Sequence, residues 1–174
     1  MIKNYFSVPI GEYDFDCNKI DLDYELHKQW RSQTPTSFRN TNKLTHESVD
    51  YIKSILKKYV INFFPNFKSL DLVEFWVNEY GYKDYQEEHN HMGFHFSFAI
   101  FKKIPKNSGE IYFISPVADL LATMTIDIFS YGYQHMGREN SIVIFPAFLK
   151  HAVSANNNDT EKRITYSGNF NIIK

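Results

Sequence analysis

The first third of the chain carries one apolar stripe with the period of an α-helix. Between residues 46 and 63 the apolar side chains recur at steps of three and four: Val49, Ile52, Leu56, Tyr59, Val60 and Phe63. Thr45 is suited to cap the amino end, Glu47 suits the positive end of the helix dipole, and Pro65 ends the pattern. We therefore predict an amphipathic helix over residues 46–63.

Two weaker patterns precede this helix. Leu22, Leu26 and Trp30 stand at steps of four, which predicts a second helix over residues 21–31. The sequence of residues 2–10 predicts a short strand.

From residue 70 onward the apolar period changes to two, which is the period of a strand with one buried face. The predicted strands cover residues 72–77, 94–101, 110–114, 124–130, 141–145, 149–154 and 163–172. Segments rich in Gly, Pro and Asn separate them. This order predicts a mainly β fold with N-terminal helices, either a jelly roll or a barrel. We expect one domain over residues 1–174, in which residues 1–69 form a helical N-terminal support and residues 70–174 form the β core.

Composition narrows the function. Aromatic residues make up 17% of the chain, which favours a sheet-based core, and the formal net charge of -1 offers no basic field for nucleic acid. No apolar run reaches the length of a membrane span, and no secretory signal pattern opens the sequence. Cys17 is the only cysteine, which excludes an internal disulfide and a thiolate zinc cluster. A cytoplasmic protein is the simplest expectation, with a homodimer left open.

Histidines supply the candidate chemistry. His89 and His91 stand two residues apart at the edge of a predicted strand, so both imidazoles project to the same face. His151 follows the apolar strand 141–145 and a proline, which makes it a candidate third ligand. Three histidines with open coordination positions are typical of a facial metal triad.

Arg163 and Thr165 supply a second candidate site. They share one face of the last predicted strand, and a planar guanidinium with a neighbouring hydroxyl is suited to a carboxylate. If that face is interior, a dicarboxylate ligand explains a buried cation that would otherwise be costly.

These elements resemble a family of small 2-oxoglutarate/Fe(II)-dependent oxygenases from bacteria and phages. The matching segments are Trp76 with residues 85–91 (Tyr-Gln-x-x-His-x-His), residues 95–101, 109–116 and 145–151 (Phe-Pro-x-aromatic-Leu-x-His), and Arg163-x-Thr165 with Asn169. The resemblance covers roughly residues 70–172 and implies a double-stranded β-helix. It also implies that His89, His91 and His151 bind Fe(II), and that Arg163 and Thr165 bind the distal carboxylate of 2-oxoglutarate.

The implied reaction is hydroxylation of an unactivated C–H bond with conversion of 2-oxoglutarate and O2 to succinate and CO2. The primary substrate, a small molecule or a protein side chain, is not specified. Two departures stand out. The second ligand is His91 where the wider superfamily has a carboxylate, which leaves more positive charge on the metal. Ile100 and Phe101 stand where the family often has Tyr, and Tyr112 and Tyr166 are candidates to replace that hydroxyl.

Two other functions fit part of the pattern. A metal-binding cupin that does not use 2-oxoglutarate could add His95 to the three histidines, since His89, His91 and His95 share strand parity. Arg163 argues against it, because such a cupin has no need of a cation there. A non-catalytic β-sandwich binding module is the other alternative, in which the histidines are structural.

Overall fold

The computed structural model describes residues 8–29, 31–40, 42–118 and 132–174. Two helices lie wholly within these ranges, a short 3-10 helix, Cys17–Lys19, and α1, His46–Val60. The strands are β1 Gly11–Asp14, β2 Leu22–Tyr24, β3 His27–Lys28, β4 Pro35–Thr36, β5 Asn42–Leu44, β6 Ser69–Tyr80, β7 Gln86–His89, β8 Phe96–Lys103, β9 Ile111–Ile114, β10 Gly132–His135, β11 Ser141–Pro146, β12 His151–Val153 and β13 Arg163–Ile173.

Two antiparallel sheets face each other. The larger has the order β1-β11-β8-β13-β6-β4-β3, and the smaller has the order β10-β9-β12-β7. Strands β2 and β5 form a separate pair. This is the mainly β, double-stranded β-helix architecture that was expected. Strands β1, β3 and β4 precede the helix in sequence, so the N-terminal part supports the core with strands as well as with α1.

Most of the predicted strands are confirmed with small shifts in their ends. Strands β8, β9, β11, β12 and β13 correspond to five of the predicted segments. The segment predicted over residues 72–77 is longer than expected, because β6 runs from Ser69 to Tyr80. The strand predicted over residues 124–130 lies outside the described residues. Residues 8–10 of the segment predicted over residues 2–10 are not in a strand, and residues 2–7 are outside the description.

The helix predicted over residues 46–63 is confirmed as α1, although it ends at Val60. The hydroxyl of Thr45 accepts a hydrogen bond from the backbone N–H of Ser48 at 3.3 Å, which caps the amino end as predicted. Phe63 follows the helix and is exposed, whereas Ile55 takes a buried place on the stripe. No helix in the described residues is long and apolar enough to span a membrane.

The helix predicted over residues 21–31 is wrong. Leu22–Tyr24 is a strand paired with β5, and His27–Lys28 is a strand paired with β4. Leu22 and Leu26 do pack against the core, but a spacing of four is also two steps of a strand, and Tyr24 between them packs on the same core. The spacing of Leu22 and Leu26 fits both a helix and a strand, and pairing with β5 and β4 determines that this segment forms strands.

The large sheet is apolar on its outer face. Residues Phe98, Ile100, Ile144 and Tyr166 lie with α1 in the larger core cluster. On the inner face, Phe101, Val143 and Phe145 pack against Ile111 and Phe113 of the smaller sheet. Along β6 and β13 the inner face becomes polar, and that region holds the candidate site.

Candidate active site

A cavity lies between the two sheets where β6 and β13 face β7 and β12. The cavity has a volume of about 40 Å³. The residues that line it include Trp76, Asn78, Tyr80, Gln86, His89, His91, Phe145, His151, Arg163, Thr165 and Ser167. All five residues predicted from the sequence to form a site therefore meet in one cavity.

Three imidazoles converge at one end of this cavity. His89 ends β7, His91 follows it, and His151 begins β12 directly opposite His89 in the strand register. One ligand nitrogen from each lies within 4.8 Å of the others. The ring centroids of His89 and His151 are 4.3 Å apart. Within the described residues this is the one cluster of at least three such groups that could hold a metal ion.

Backbone carbonyls fix the orientation of two of the rings. His89 Nδ1 lies 2.8 Å from the Glu87 carbonyl oxygen, and His151 Nδ1 lies 3.0 Å from that of Leu149. A carbonyl oxygen only accepts, so each Nδ1 carries the proton and leaves Nε2 as a lone-pair donor. This is the outer partner that metal-binding histidines usually have.

His91 is held differently from the other two. Its backbone N–H donates to the carbonyl of Ala147 at 2.9 Å, and its ring lies against the indole of Trp76 with centroids 5.6 Å apart. An aromatic wall therefore orients this imidazole.

Burial keeps the cluster neutral. Loss of hydration lowers the pKa of His89, and burial together with the neighbouring His89 lowers the pKa of His91 to about 3. Burial, with His89 and His91 beside it, also lowers the pKa of His151 well below its ordinary value. Neutral imidazole is the form that binds a metal ion, so the site is prepared for one.

Arg163 lies in the same cavity and is almost fully buried, at 2% exposure. Its Nε and Nη1 atoms have no hydrogen-bond partner, and none of the ion pairs within the described part of the chain includes it. Its guanidinium carbon stands 5.2 Å from the ring centre of Tyr80 and 5.8 Å from that of Phe101. Burial lowers its pKa from the ordinary value, yet an arginine keeps its charge. The cavity thus holds a cation with unused donors.

Thr165 and Tyr80 adjoin the arginine. Thr165 is buried, and its side chain is close enough to the phenol of Tyr80 to lower the pKa of that phenol slightly. Burial raises the pKa of Tyr80 to about 12, so its hydroxyl stays protonated and can donate. Tyr80 was not identified from the sequence. The two tyrosines considered there are elsewhere: Tyr112 is exposed, and Tyr166 packs in the core on the opposite face of β13.

Two buried amides complete the lining, and the sequence reasoning missed them too. Asn78 is 6% exposed and its Oδ1 has no hydrogen-bond partner, while Gln86 donates from Nε2 to Glu87 at 2.9 Å. Alternation was the available signal, because Trp76, Asn78 and Tyr80 stand at steps of two on one face of β6. The strand predicted over residues 72–77 ended too early to reveal it.

His95 does not join the histidine cluster. Its side chain is exposed, and its Nδ1 accepts a hydrogen bond from the backbone N–H of Ile172 at 3.0 Å. The four-histidine cupin alternative therefore loses its fourth ligand. The buried, unpaired Arg163 argues against it as well.

Comparison with known families gives one match. Residues 74–169, more than half of the chain, match the model of the family described as "Putative 2OG-Fe(II) oxygenase". Those residues include the three histidines, Arg163 and Thr165. Among curated proteins, none matches this chain in sequence.

Solved structures share the fold at low sequence identity. A 2OG-Fe(II) oxygenase family oxidoreductase from Burkholderia pseudomallei is 8% identical, with a TM-score of 0.57 over 79% of this chain and 68% of that one. A Pseudomonas putida prolyl-4-hydroxylase is 13% identical, with a TM-score of 0.56 over 84% and 77%. A viral collagen prolyl hydroxylase from Paramecium Bursaria Chlorella virus-1, solved with 2OG, is 10% identical, with a TM-score of 0.55 over 81% and 80%.

Proposed function

Because the chain belongs to the 2OG-Fe(II) oxygenase family, we propose that it hydroxylates an unactivated C–H bond of its primary substrate. Fe(II) and 2-oxoglutarate are its cofactors, and O2 is the second co-substrate. In the proposed reaction, 2-oxoglutarate and O2 become succinate and CO2 while one oxygen atom enters the substrate. His89, His91 and His151 hold the metal, and Arg163 with Thr165 holds the distal carboxylate of 2-oxoglutarate.

The observation that carries this proposal is the buried guanidinium of Arg163. A cation with two unpartnered N–H donors inside a protein is costly unless an anion completes it. A carboxylate matches the planar guanidinium and would supply the acceptor that its donors lack. Thr165 and the phenol of Tyr80 stand beside that position and can each contribute a further hydrogen bond.

Charge also favours a dianionic co-substrate. Three neutral imidazoles contribute no negative charge, so a bound divalent ion keeps its full charge of about +2, where a carboxylate ligand would leave about +1. Arg163 adds another positive charge to the same cavity. The two carboxylates of 2-oxoglutarate would balance most of this charge inside a poorly hydrated space.

The chain's own residues bind, orient and exclude water. When bound, Fe(II) with 2-oxoglutarate supplies the oxidation of the substrate by O2. Leu149 and Glu87 fix the tautomers of His151 and His89 through their carbonyls, and Trp76 fixes the ring of His91. The Phe145 ring, 4.8 Å from that of His151, covers the metal end with an apolar surface that keeps bulk water away.

The test is the 2-oxoglutarate-dependent formation of succinate and CO2 by the iron-loaded protein under air. With ascorbate added as the two-electron reductant in place of the primary substrate, succinate should form in proportion to enzyme and iron. Replacement of Arg163 by Leu should keep the iron and lose the succinate. Iron-loaded wild-type protein that forms no succinate and binds no 2-oxoglutarate would contradict the proposal.

A further inference from the structure

A second depression runs along the edge of β6, just beyond the active-site cavity. It measures about 430 Å³, and one of its walls is the five-residue stretch from Leu72 to Trp76. The facing wall is formed by Phe38, Arg39, Asn40, Asn42, Leu44 and Val49. Successive side chains of a strand point to opposite faces, so a depression touched by five consecutive residues follows the edge of the strand. We call it the edge groove.

The backbone of β6 is open along this groove. Strand β4 covers the edge only where Thr36 pairs with Asn78. At Val77 the N–H donates to Ser37 Oγ at 2.8 Å, and the carbonyl accepts from the Ser37 N–H at 2.9 Å. Backbone groups of alternate residues face the same side, so those of Phe75 also point away from β13 and into the groove. Among the described residues, none forms a hydrogen bond to them on that side.

We propose that the edge groove binds an extended polypeptide segment of the primary substrate as an added strand beside β6. This deepens the proposed function and rests on it. An unpaired N–H and carbonyl at a sheet edge are complementary to the main chain of a peptide. A small molecule has no comparable repeat of donors and acceptors, so the groove favours a protein or peptide as the substrate class.

Trp76 connects the groove to the chemistry. Its side chain lines both the edge groove and the active-site cavity, and it packs against the ring of His91. Trp76 and Glu74 share the face of β6 that looks toward the smaller sheet. Side chains on the corresponding face of an added strand would pass over Trp76 toward the histidines, while its other side chains would lie against the outer part of the groove.

Charge and polarity describe the segment further. Arg39 is exposed on the groove wall, its guanidinium carbon lies 5.2 Å from the ring centre of Phe38, and it enters none of the ion pairs in the described part of the chain. It therefore selects an acidic side chain on the bound segment. Leu44, Val49 and Leu72 offer an apolar surface for a neighbouring aliphatic side chain.

The experiment is a selection of random dodecapeptides on the full-length protein loaded with Zn(II) and 2-oxoglutarate. Peptides with an acidic residue at one fixed position should be enriched. A scan of single backbone N-methyl groups along a selected peptide should weaken binding about tenfold at alternate residues and little between them, because only alternate N–H groups face β6.

Three variants locate the site. Val73→Lys, which alters an exposed residue of the groove wall, should weaken peptide binding about tenfold, as a charge placed against an apolar contact would. Arg39→Glu should change the selected residue from acidic to basic. Ile61→Lys is the matched control, since Ile61 is exposed outside the groove and its replacement should change nothing. All three variants should bind 2-oxoglutarate like the wild type.

The results separate this proposal from the proposed function. If no peptide is enriched, if the N-methyl scan shows no alternation, or if the groove instead mediates self-association that Val73→Lys abolishes, the peptide groove is wrong. In each of those cases 2-oxoglutarate binding, measured on the same samples, reports on the proposed function independently. Loss of 2-oxoglutarate binding alone would contradict only the proposed function.

Discussion

The interior between the two sheets has two halves of opposite character. In the apolar half, Phe101, Val143 and Phe145 of the large sheet meet Ile111 and Phe113 of the small one, all at most 3% exposed. In the polar half, β6 and β13 present Asn78, Arg163 and Thr165 toward the three histidines. The side chains of the apolar half need no partner beyond one another, because they only pack together. The polar half contains hydrogen-bond donors on Arg163 and an acceptor on Asn78 that have no partner.

This difference separates folding from function within one layer. Close packing of aromatic and aliphatic side chains stabilises the fold, so the apolar half should carry the stability of the sandwich. Unpaired buried polar groups cost stability, and their presence in the other half is explained by ligands that complete them. Substitutions in the two halves should therefore have opposite signatures in stability and in binding.

The largest effect is expected at the metal end of the polar half. His151→Ala removes a ligand directly and should lower Fe(II) affinity by more than about 100-fold, since loss of an outer partner alone costs about 10–100-fold. Metal content after equilibrium dialysis is the measurement. His95→Ala is the control, because His95 is exposed and bonded to Ile172, and it should retain the metal. Full metal occupancy in His151→Ala would remove it from the ligand set.

In the apolar half, Phe113→Ala should lower the free energy of unfolding by about 3–5 kcal/mol, because it leaves a cavity in a closely packed cluster. Urea unfolding measures this. Thr165→Val, a substitution of similar shape in the polar half, should lower the free energy of unfolding by about 1 kcal/mol or less, because it removes one hydroxyl and leaves the packing in place. Equal destabilisation by both substitutions would contradict the division into two halves.

Arg163→Leu should show the opposite signature to Phe113→Ala. Without ligand, its free energy of unfolding should stay the same or rise by about 1–4 kcal/mol, because an unpaired buried charge is replaced by an apolar side chain. Its affinity for 2-oxoglutarate should fall by about 2–5 kcal/mol, measured by calorimetry on the metal-loaded protein. Arg163→Lys keeps the charge without the planar fork, so its affinity for 2-oxoglutarate should lie between those of the wild type and Arg163→Leu. Unchanged affinity in Arg163→Leu would make the arginine structural.

The smallest effect is expected at the phenol. Tyr80→Phe should weaken 2-oxoglutarate binding by about 0.5–1.5 kcal/mol, the usual net contribution of one hydrogen bond. Tyr112→Phe, at an exposed position outside the cavity, is the matched control and should have no effect. If the two variants bind 2-oxoglutarate equally well, the hydroxyl of Tyr80 does not contact the co-substrate.

Alternation and spacing in the sequence predicted the part of the site that lies on regular strands. Arg163 and Thr165 share a face of β13 because they stand two residues apart, and the structure places them in one cavity with the histidines. His91 follows the end of β7, so its approach to His89 depends on the chain beyond the strand as well as on the spacing of two. The pairing of His151 with His89 depends on strand register between β12 and β7, which local sequence does not specify.

The residues that were missed lie where local signals were weak or ended early. Asn78 and Tyr80 continue the alternation of Trp76, but a strand of mixed polarity gives little sign of its end. The N-terminal strands were mistaken for a helix because Leu22 and Leu26 fit both periods. The edge groove follows from the short length of β4, which only the pairing of the sheet reveals.

Anaerobic titration of the Fe(II)-loaded protein with 2-oxoglutarate tests the central claim most directly, because chelation of the iron by the keto acid produces a visible charge-transfer absorption band. The account predicts a band that saturates at one equivalent per chain in the wild type, needs far more 2-oxoglutarate in Arg163→Leu, and is absent in His151→Ala. Iron bound by the three histidines with no band at any 2-oxoglutarate concentration would contradict it.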